Sequence, residues 1–159
     1  MSSAVHPTTA RSRVFSAAPE SLHQVRRFLR ERCDEARISG TAADDILLAV
    51  SEACTNAVLH SRSRVFQVIW RCRVDRAEAR VRDQGRFHLG GLSSRGEDLG
   101  GNGIPLMTAL MDEVSVRRGS ARRPGTEVRL VKRLEGAGRW GRLFRRTSTS
   151  GTRPLPSAR

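Results

Sequence analysis

The sequence has 159 residues, of which 38% are hydrophobic and 4% aromatic, so it is long enough for one domain with a core of Val, Leu, Ile and Ala. The formal net charge of +13 allows nucleic acid or an acidic protein as a partner. No apolar run approaches the roughly 20 residues of a membrane span, and the first residues lack a signal peptide's apolar stretch, so we expect a cytoplasmic protein with no membrane partner.

The first part of the chain predicts one short strand followed by two helices. Residues 1–10 are rich in Ser, Thr and Ala and are interpreted as a flexible leader, and residues 11–16 as a short edge strand. Apolar residues then recur with a helical period over residues 19–36. Gly40 interrupts this pattern, and a second helix is expected over residues 41–60.

The hydrophobic period changes to two in the middle of the chain. Residues 65–74 and 77–82 alternate between apolar and polar side chains and are separated by a short turn, which predicts a β-hairpin. The stretch that follows, residues 84–103, contains seven glycines. So long an irregular segment in a compact domain is typical of a lid, a binding loop or a disordered region.

The remaining elements predict the fold class. A third helix starts at Pro105, a strand begins at Val114, and a last strand covers residues 126–130. Helices and strands therefore come in runs, which indicates an α+β fold: a two-layer sandwich with a mixed, mostly antiparallel sheet and helices on one face. We expect this domain to occupy residues 11–133, and the basic stretch 134–159 to be a largely disordered tail.

The three cysteines predict neither disulfides nor a zinc site. Cys33, Cys54 and Cys72 are odd in number, widely spaced and not clustered with histidines. All three lie in apolar patterns, so we interpret them as small buried hydrophobic residues.

Two polar residues stand out in the second helix. Glu52 and Asn56 are four residues apart, which places both side chains on one helix face among small apolar residues. An amide oxygen is a suitable ligand for Mg²⁺, and a carboxylate can accept a proton from a hydroxyl group or water. A solvated helix edge is the alternative interpretation, because both residue types are common on surfaces.

Three further motifs follow in the chain. Strand parity places Asp83 on the inner face, where a buried carboxylate needs a donor such as the exocyclic amine of a base, although Asp83 to Gly85 also suits a plain turn. Glycines 100, 101 and 103 precede a helix, which is typical of an anion site or of a flexible loop. Gly125 and Thr126 begin the last strand. Thr126 offers a hydroxyl group at the end of the strand, although the closure of a hairpin also explains this pair.

In this order, the motifs resemble a known family. The segments LAVSEACTNAVLH, VRDQG, GGNGIPLMTALMDEV and GTEVRL are similar to the four boxes of bacterial anti-sigma factor serine/threonine kinases. These kinases have the Bergerat (GHKL) ATP-binding fold, the histidine-kinase-like ATPase domain that gyrase-type ATPases and heat-shock-90 chaperones share. The resemblance covers roughly residues 11–133.

The resemblance implies a binding site for the phosphates of ATP and for Mg²⁺. Asn56 would be the Mg²⁺ ligand, and Glu52 would be the catalytic base that activates the serine hydroxyl of the acceptor. Gly101, Gly103 and Ile104, at the start of the third helix, would bind the phosphates.

The resemblance also implies an adenine site. Asp83 would accept a hydrogen bond from the adenine amine, Thr126 would assist beside it, and Gly85 would leave room for the base. His60 would line the site or be an ordinary residue at a helix C-terminus. Phe87 departs from the family pattern, which has a second glycine at this position, and this departure weakens the prediction of an active kinase.

By this resemblance, the protein is expected to sequester a sigma factor, to phosphorylate an anti-anti-sigma (STAS-domain) partner, and to form a homodimer. The alternative is a nucleotide-binding regulatory module without kinase activity. Nucleic-acid binding is a weaker alternative, because the sequence lacks an aromatic-rich face and any recognisable reading module. The basic tail could instead contact an acidic partner.

Overall fold

Five strands and three helices follow one another in the predicted order in a computed structural model that describes residues 10–60, 63–83, 103–120 and 123–134. They are β1 (Arg11–Ser16), α1 (Ser21–Glu35), α2 (Gly40–His60), β2 (Val65–Arg73), β3 (Arg76–Asp83), α3 (Gly103–Leu110), β4 (Glu113–Ser120) and β5 (Arg123–Arg133). Within these ranges, no helix combines the length and the apolar character needed to cross a membrane. The predicted leader and basic tail lie outside the described residues, apart from Ala10 and Leu134, so both remain predictions.

The strands form one five-stranded sheet in the order β1-β2-β3-β5-β4, and each pairing is antiparallel. The α+β prediction is therefore confirmed, including the hairpin of β2 and β3. α3 begins at Gly103, two residues before the predicted start at Pro105. This difference matters because it makes Gly103 the first residue of the helix.

Strand alternation separates a helix-covered face of the sheet from an outer face. Val68, Val81 and Val128 lie side by side on three adjacent strands, and all three are buried. Full burial of each such side chain contributes about 1.5–3 kcal/mol. α2 packs across β3 and β5. Its buried hydrophobic residues are mostly small and are Ile46, Ala49, Val50, Ala53, Cys54 and Ala57.

The three cysteines are free thiols, as predicted, and two of them lie in the described core. Cys33 and Cys54 are buried, and Cys72 is half-buried. Burial, assisted by the neighbouring charge of Asp34, raises the pKa of Cys33 to about 11, and burial also raises the pKa of Cys54 and of Cys72. The thiols therefore serve as packing groups rather than as nucleophiles at neutral pH.

The outer face of the sheet carries a ladder of ion pairs. Glu127 bonds Arg82 and lies 3.6 Å from Arg80, while Glu78 accepts hydrogen bonds from Arg80 at 2.7 Å and from Arg129 at 2.9 Å. Although partial burial opposes ionisation of Glu78, these two hydrogen bonds and the two guanidinium charges outweigh it and lower its pKa. The functional residues therefore have to be sought on the other face, where the helices lie.

Candidate functional site

The polar pair of α2 lies at the margin of the buried helix face. Glu52 and Asn56 are both half-buried, while Ala53 and Ala57, which follow them directly, are fully buried. The pair is therefore less exposed than a fully solvated helix edge would be. Because small residues surround it, another element can approach this part of α2 closely.

That element is the first residue of α3. Gly103 is buried, and a Cβ atom added to it would lie 2.9 Å from Asn56 Nδ2 and 2.9 Å from Glu52 Oε1. Any side chain at this position would have to displace both functional groups. The first amide groups of a helix have no acceptor inside the helix and carry its positive end. An anion-binding end of a helix is thus held against a carboxylate and an amide.

A second group of polar residues lies at the end of the sheet. Asp83, the last residue of β3, is directly opposite Thr126 of β5, and Phe66 of β2 lies on the other side of Asp83. Asp83 is 8% exposed and Thr126 is 5% exposed. A buried carboxylate and a buried hydroxyl group both require hydrogen-bond partners, so these two polar side chains at a strand end stand out from the apolar core around them.

Both groups lie on the helix-covered face. Asp83 and Thr126 belong to the two strands that α2 contacts, and α3 contacts both α2 and the neighbouring strand β4. Ile104, which follows Gly103, is half-buried and packs against the core. The structure thus brings together Glu52, Asn56 and Gly103 as one group, and the Asp83–Thr126 pair as a second group on the same side of the sheet.

Several predicted site residues lie outside the described residues. These are Gly85, Gly101 and Phe87, so their roles remain predictions. His60 is the last residue of α2, but its side chain is also outside the description.

Within the described part of the site, the protein groups do not form a metal centre by themselves. Among the described residues, no cluster of three or more His, Cys, Asp or Glu side chains could hold a metal ion. Mg²⁺ commonly binds through one or two protein ligands, with phosphate oxygens and waters completing the octahedron. Asn56, beside the amide end of α3, suits that mode of binding because the phosphates would lie at the same helix end.

A contact that the sequence did not predict lies at the other end of α3. Lys132 of β5 donates one hydrogen bond of 2.7 Å to Asp45 Oδ2 of α2 and another of 2.7 Å to the carbonyl oxygen of Leu110. Neither residue belongs to a recognisable motif. The only signal in the sequence is that Asp45 precedes Glu52 by two helical turns and therefore shares its side of α2.

Comparisons with known proteins agree with this fold. The histidine kinase-like ATPase domain family matches residues 15–132. The serine-protein kinase RsbW of Bacillus velezensis is 35% identical over 118 aligned positions, and the match covers 58% of this chain and 66% of that protein. A crystal structure of the RsbU and RsbW domains of Rv1364c from Mycobacterium tuberculosis has a TM-score of 0.64 and 26% identity over 80% of this chain. The chain spans 32% of that structure's length and just under two thirds of the Bacillus kinase.

Proposed function

Since this chain belongs to the histidine kinase-like ATPase domain family, we propose that it is an anti-sigma factor that binds ATP with Mg²⁺ and phosphorylates a protein partner on serine. The observation that carries this proposal is the contact of Gly103 with Glu52 and Asn56. It brings the amide end of α3 beside an amide side chain suited to Mg²⁺ and a carboxylate suited to a base, which supports the proposal because phosphoryl transfer needs such groups.

The phosphate half of the site has three parts. The amides at Gly103 and Ile104 would contact the phosphate groups, and the Asn56 amide oxygen would hold Mg²⁺. The metal ion supplies charge neutralisation on the phosphates. Glu52 accepts the proton from the serine hydroxyl of the acceptor protein, which makes the oxygen a better nucleophile.

The adenine half of the site is formed by Asp83 and Thr126. The Asp83 carboxylate accepts a hydrogen bond from the exocyclic amine of adenine, and the Thr126 hydroxyl lies beside it on the neighbouring strand. Guanine has a carbonyl oxygen at the position of this amine, and a carboxylate repels it. We therefore propose that the site prefers ATP to GTP by at least about tenfold, because an unpaired buried polar group costs about 1–3 kcal/mol.

The proposed partners follow from the family resemblance. One is a sigma factor, which the protein would sequester, and the other is an anti-anti-sigma factor with a STAS domain, which would receive the phosphate. A phosphate on a docking surface adds about −1.5 to −2 charges, which weakens binding wherever acidic groups or apolar surface face it. We also propose that the protein is a homodimer, and sedimentation equilibrium would test this by giving twice the chain mass of 17.6 kDa.

The kinase proposal is tested by incubating the protein with γ-labelled ATP and the STAS-domain proteins of the same genome. We expect label on a serine of one of them, and we expect Glu52→Gln to bind ATP but to transfer no label. If ATP binds to the wild-type protein and no partner is ever labelled, the kinase activity is refuted.

A regulatory module without catalysis is the second candidate, because Phe87 replaces a family glycine four residues after Asp83 in the sequence. Its signature would be partner binding that depends on ATP but is identical in the wild type and in Glu52→Gln. In the kinase, by contrast, the wild type loses its STAS partner over time in the presence of ATP, and the variant does not.

A further inference from the structure

The side chain of Lys132 connects three elements of the domain. It extends from β5 on the helix-covered face, and its ammonium group donates to Asp45 of α2 and to the Leu110 carbonyl at the end of α3, each at 2.7 Å. The Lys132 and Asp45 side chains are 20% and 18% exposed. A pair with so little exposure is screened less by salt than a surface pair is.

The Leu110 carbonyl at the end of α3 accepts a hydrogen bond from this ammonium group. The last hydrogen bond at the end of α3 joins the Met111 amide to the Met107 carbonyl, so the carbonyl of Leu110 belongs to the group that has no partner within the helix. These carbonyls also carry the negative end of the helix dipole, which a cation stabilises. Lys132 therefore caps α3 at the end that is remote from the proposed phosphate site.

The two contacts between α3 and α2 are separated by the same number of residues on both helices. Gly103 meets Glu52 at one end of α3, and Leu110 is linked through Lys132 to Asp45 at the other end. Seven residues separate the two members on each helix, which corresponds to about 10.5 Å at 1.5 Å per residue. The helices are thus antiparallel, and the Lys132 contact fixes how far α3 lies along α2.

We propose that Lys132 is a positioning residue that sets the axial register of α3 against α2. This inference rests on the proposed function, because it assumes that the amide end of α3 binds the phosphates of ATP. In the native register, Gly103, which has no side chain, lies next to Glu52 and Asn56. A shift of α3 by about 1.5 Å along its axis would move its amide groups away from Glu52 and Asn56, and only an accompanying rotation of about 100° would bring Ile104 into the position of Gly103.

Lys132→Met tests this proposal, because Met has a similar length but no charge and no donor. Arg133→Met is the matched control: it removes the next cation of β5, an exposed residue on the outer face, without affecting α3. Two quantities are measured well below the unfolding temperature: hydrogen exchange of the α3 amides without nucleotide, and the calorimetric Kd for Mg²⁺·ATP.

The proposal predicts that Lys132→Met accelerates exchange of the α3 amides by about tenfold or more, while α1 amides exchange as in the wild type. It predicts that the Kd rises by about tenfold or more, because misplacement by about 1 Å has effects of that size. Lys132→Arg, which keeps the charge and the donors, should keep both quantities within about threefold of the wild type, and so should Arg133→Met.

Three results would overturn the proposal. They are unchanged exchange of α3 in Lys132→Met, faster exchange of α3 with unchanged ATP affinity, and uniformly faster exchange of all helices, which is what a merely structural role would give. If Lys132→Met does not fold, Asp45→Asn is measured in its place with the same expectations. If the wild type does not bind ATP, the proposed function fails, whereas exchange of the α3 amides still tests whether Lys132 holds α3 in place.

Discussion

Replacing Gly103 with Ala should separate function from stability. The added methyl carbon would lie 2.9 Å from both Asn56 Nδ2 and Glu52 Oε1. Because an ordinary contact of this kind is about 3.5 Å, each of the two atoms has to move by about 0.6 Å. Both atoms are at the ends of flexible side chains and can move at little cost. Ala is also favoured over Gly by about 1 kcal/mol in a helix interior and by less at the first helical residue, so the net change in the free energy of unfolding should be less than about 1 kcal/mol.

The same displacement should be costly for the chemistry. Mg²⁺ requires ligand distances of about 2.0–2.1 Å in a nearly regular octahedron, so a shift of about 0.6 Å in Asn56 disrupts its coordination. Misplacement of a catalytic group by about 1 Å costs about a hundredfold in rate. We therefore expect Gly103→Ala to raise the Kd for Mg²⁺·ATP by about tenfold and to reduce phosphate transfer by about a hundredfold.

Gly40→Ala provides the matched control with the opposite expectation. Gly40 has a φ of +60°, and nothing lies within 4 Å of an added Cβ. A left-handed backbone costs Ala about 1–2 kcal/mol, so this variant should lose stability in urea denaturation but keep the ATP affinity of the wild type. The account is refuted if Gly103→Ala binds ATP and transfers phosphate as the wild type does, or if it loses affinity only because it is as unstable as Gly40→Ala.

Three other predictions concern the metal ligand, the ion-pair ladder and a buried thiol. Removing Mg²⁺ with a chelator should weaken ATP binding by the wild type but not by Asn56→Ala, because the variant has already lost the protein ligand; equal chelator effects in calorimetry would contradict this. The pKa of Glu78 is below its usual 4.5, so its contribution to folding stability is present above that pH and is lost as the pH falls through the lowered pKa; urea denaturation between pH 3 and 6 should show a shallower decline for Glu78→Gln. The pKa of Cys33 is about 11 instead of 9.0, so iodoacetamide at pH 8 should modify it about a hundredfold more slowly in the native protein than in the unfolded one, and comparable rates would show that the thiol is accessible.

Local patterns in the sequence predict the elements because side-chain spacing determines which faces are buried. The alternation in residues 65–74 and 77–82 predicted both strands of the hairpin and the inward side of Asp83. The helical spacing of Glu52 and Asn56 likewise predicted one shared face. The start of α3 was predicted two residues late, because proline at a first helical turn indicates a beginning only approximately.

Contacts between distant segments could not be predicted in this way. That Gly103 lies against Glu52 depends on the antiparallel packing of α3 on α2, which neither helix encodes by itself. The register that places Thr126 opposite Asp83 likewise depends on β5 entering the sheet between β3 and β4. Lys132 was missed because a lysine on a strand normally reaches solvent, and its two acceptors come together only in the folded domain.

The central claim is that one nucleotide is bound between α2 and the start of α3, with its base on Asp83. The most direct test is calorimetric titration of the wild type and of Asp83→Asn with Mg²⁺·ATP and with Mg²⁺·GTP. We predict that the wild type binds ATP at least about tenfold more tightly than GTP, and that Asp83→Asn loses most of this preference. Equal affinities of the wild type for the two nucleotides, or an unchanged preference in Asp83→Asn, would contradict the account.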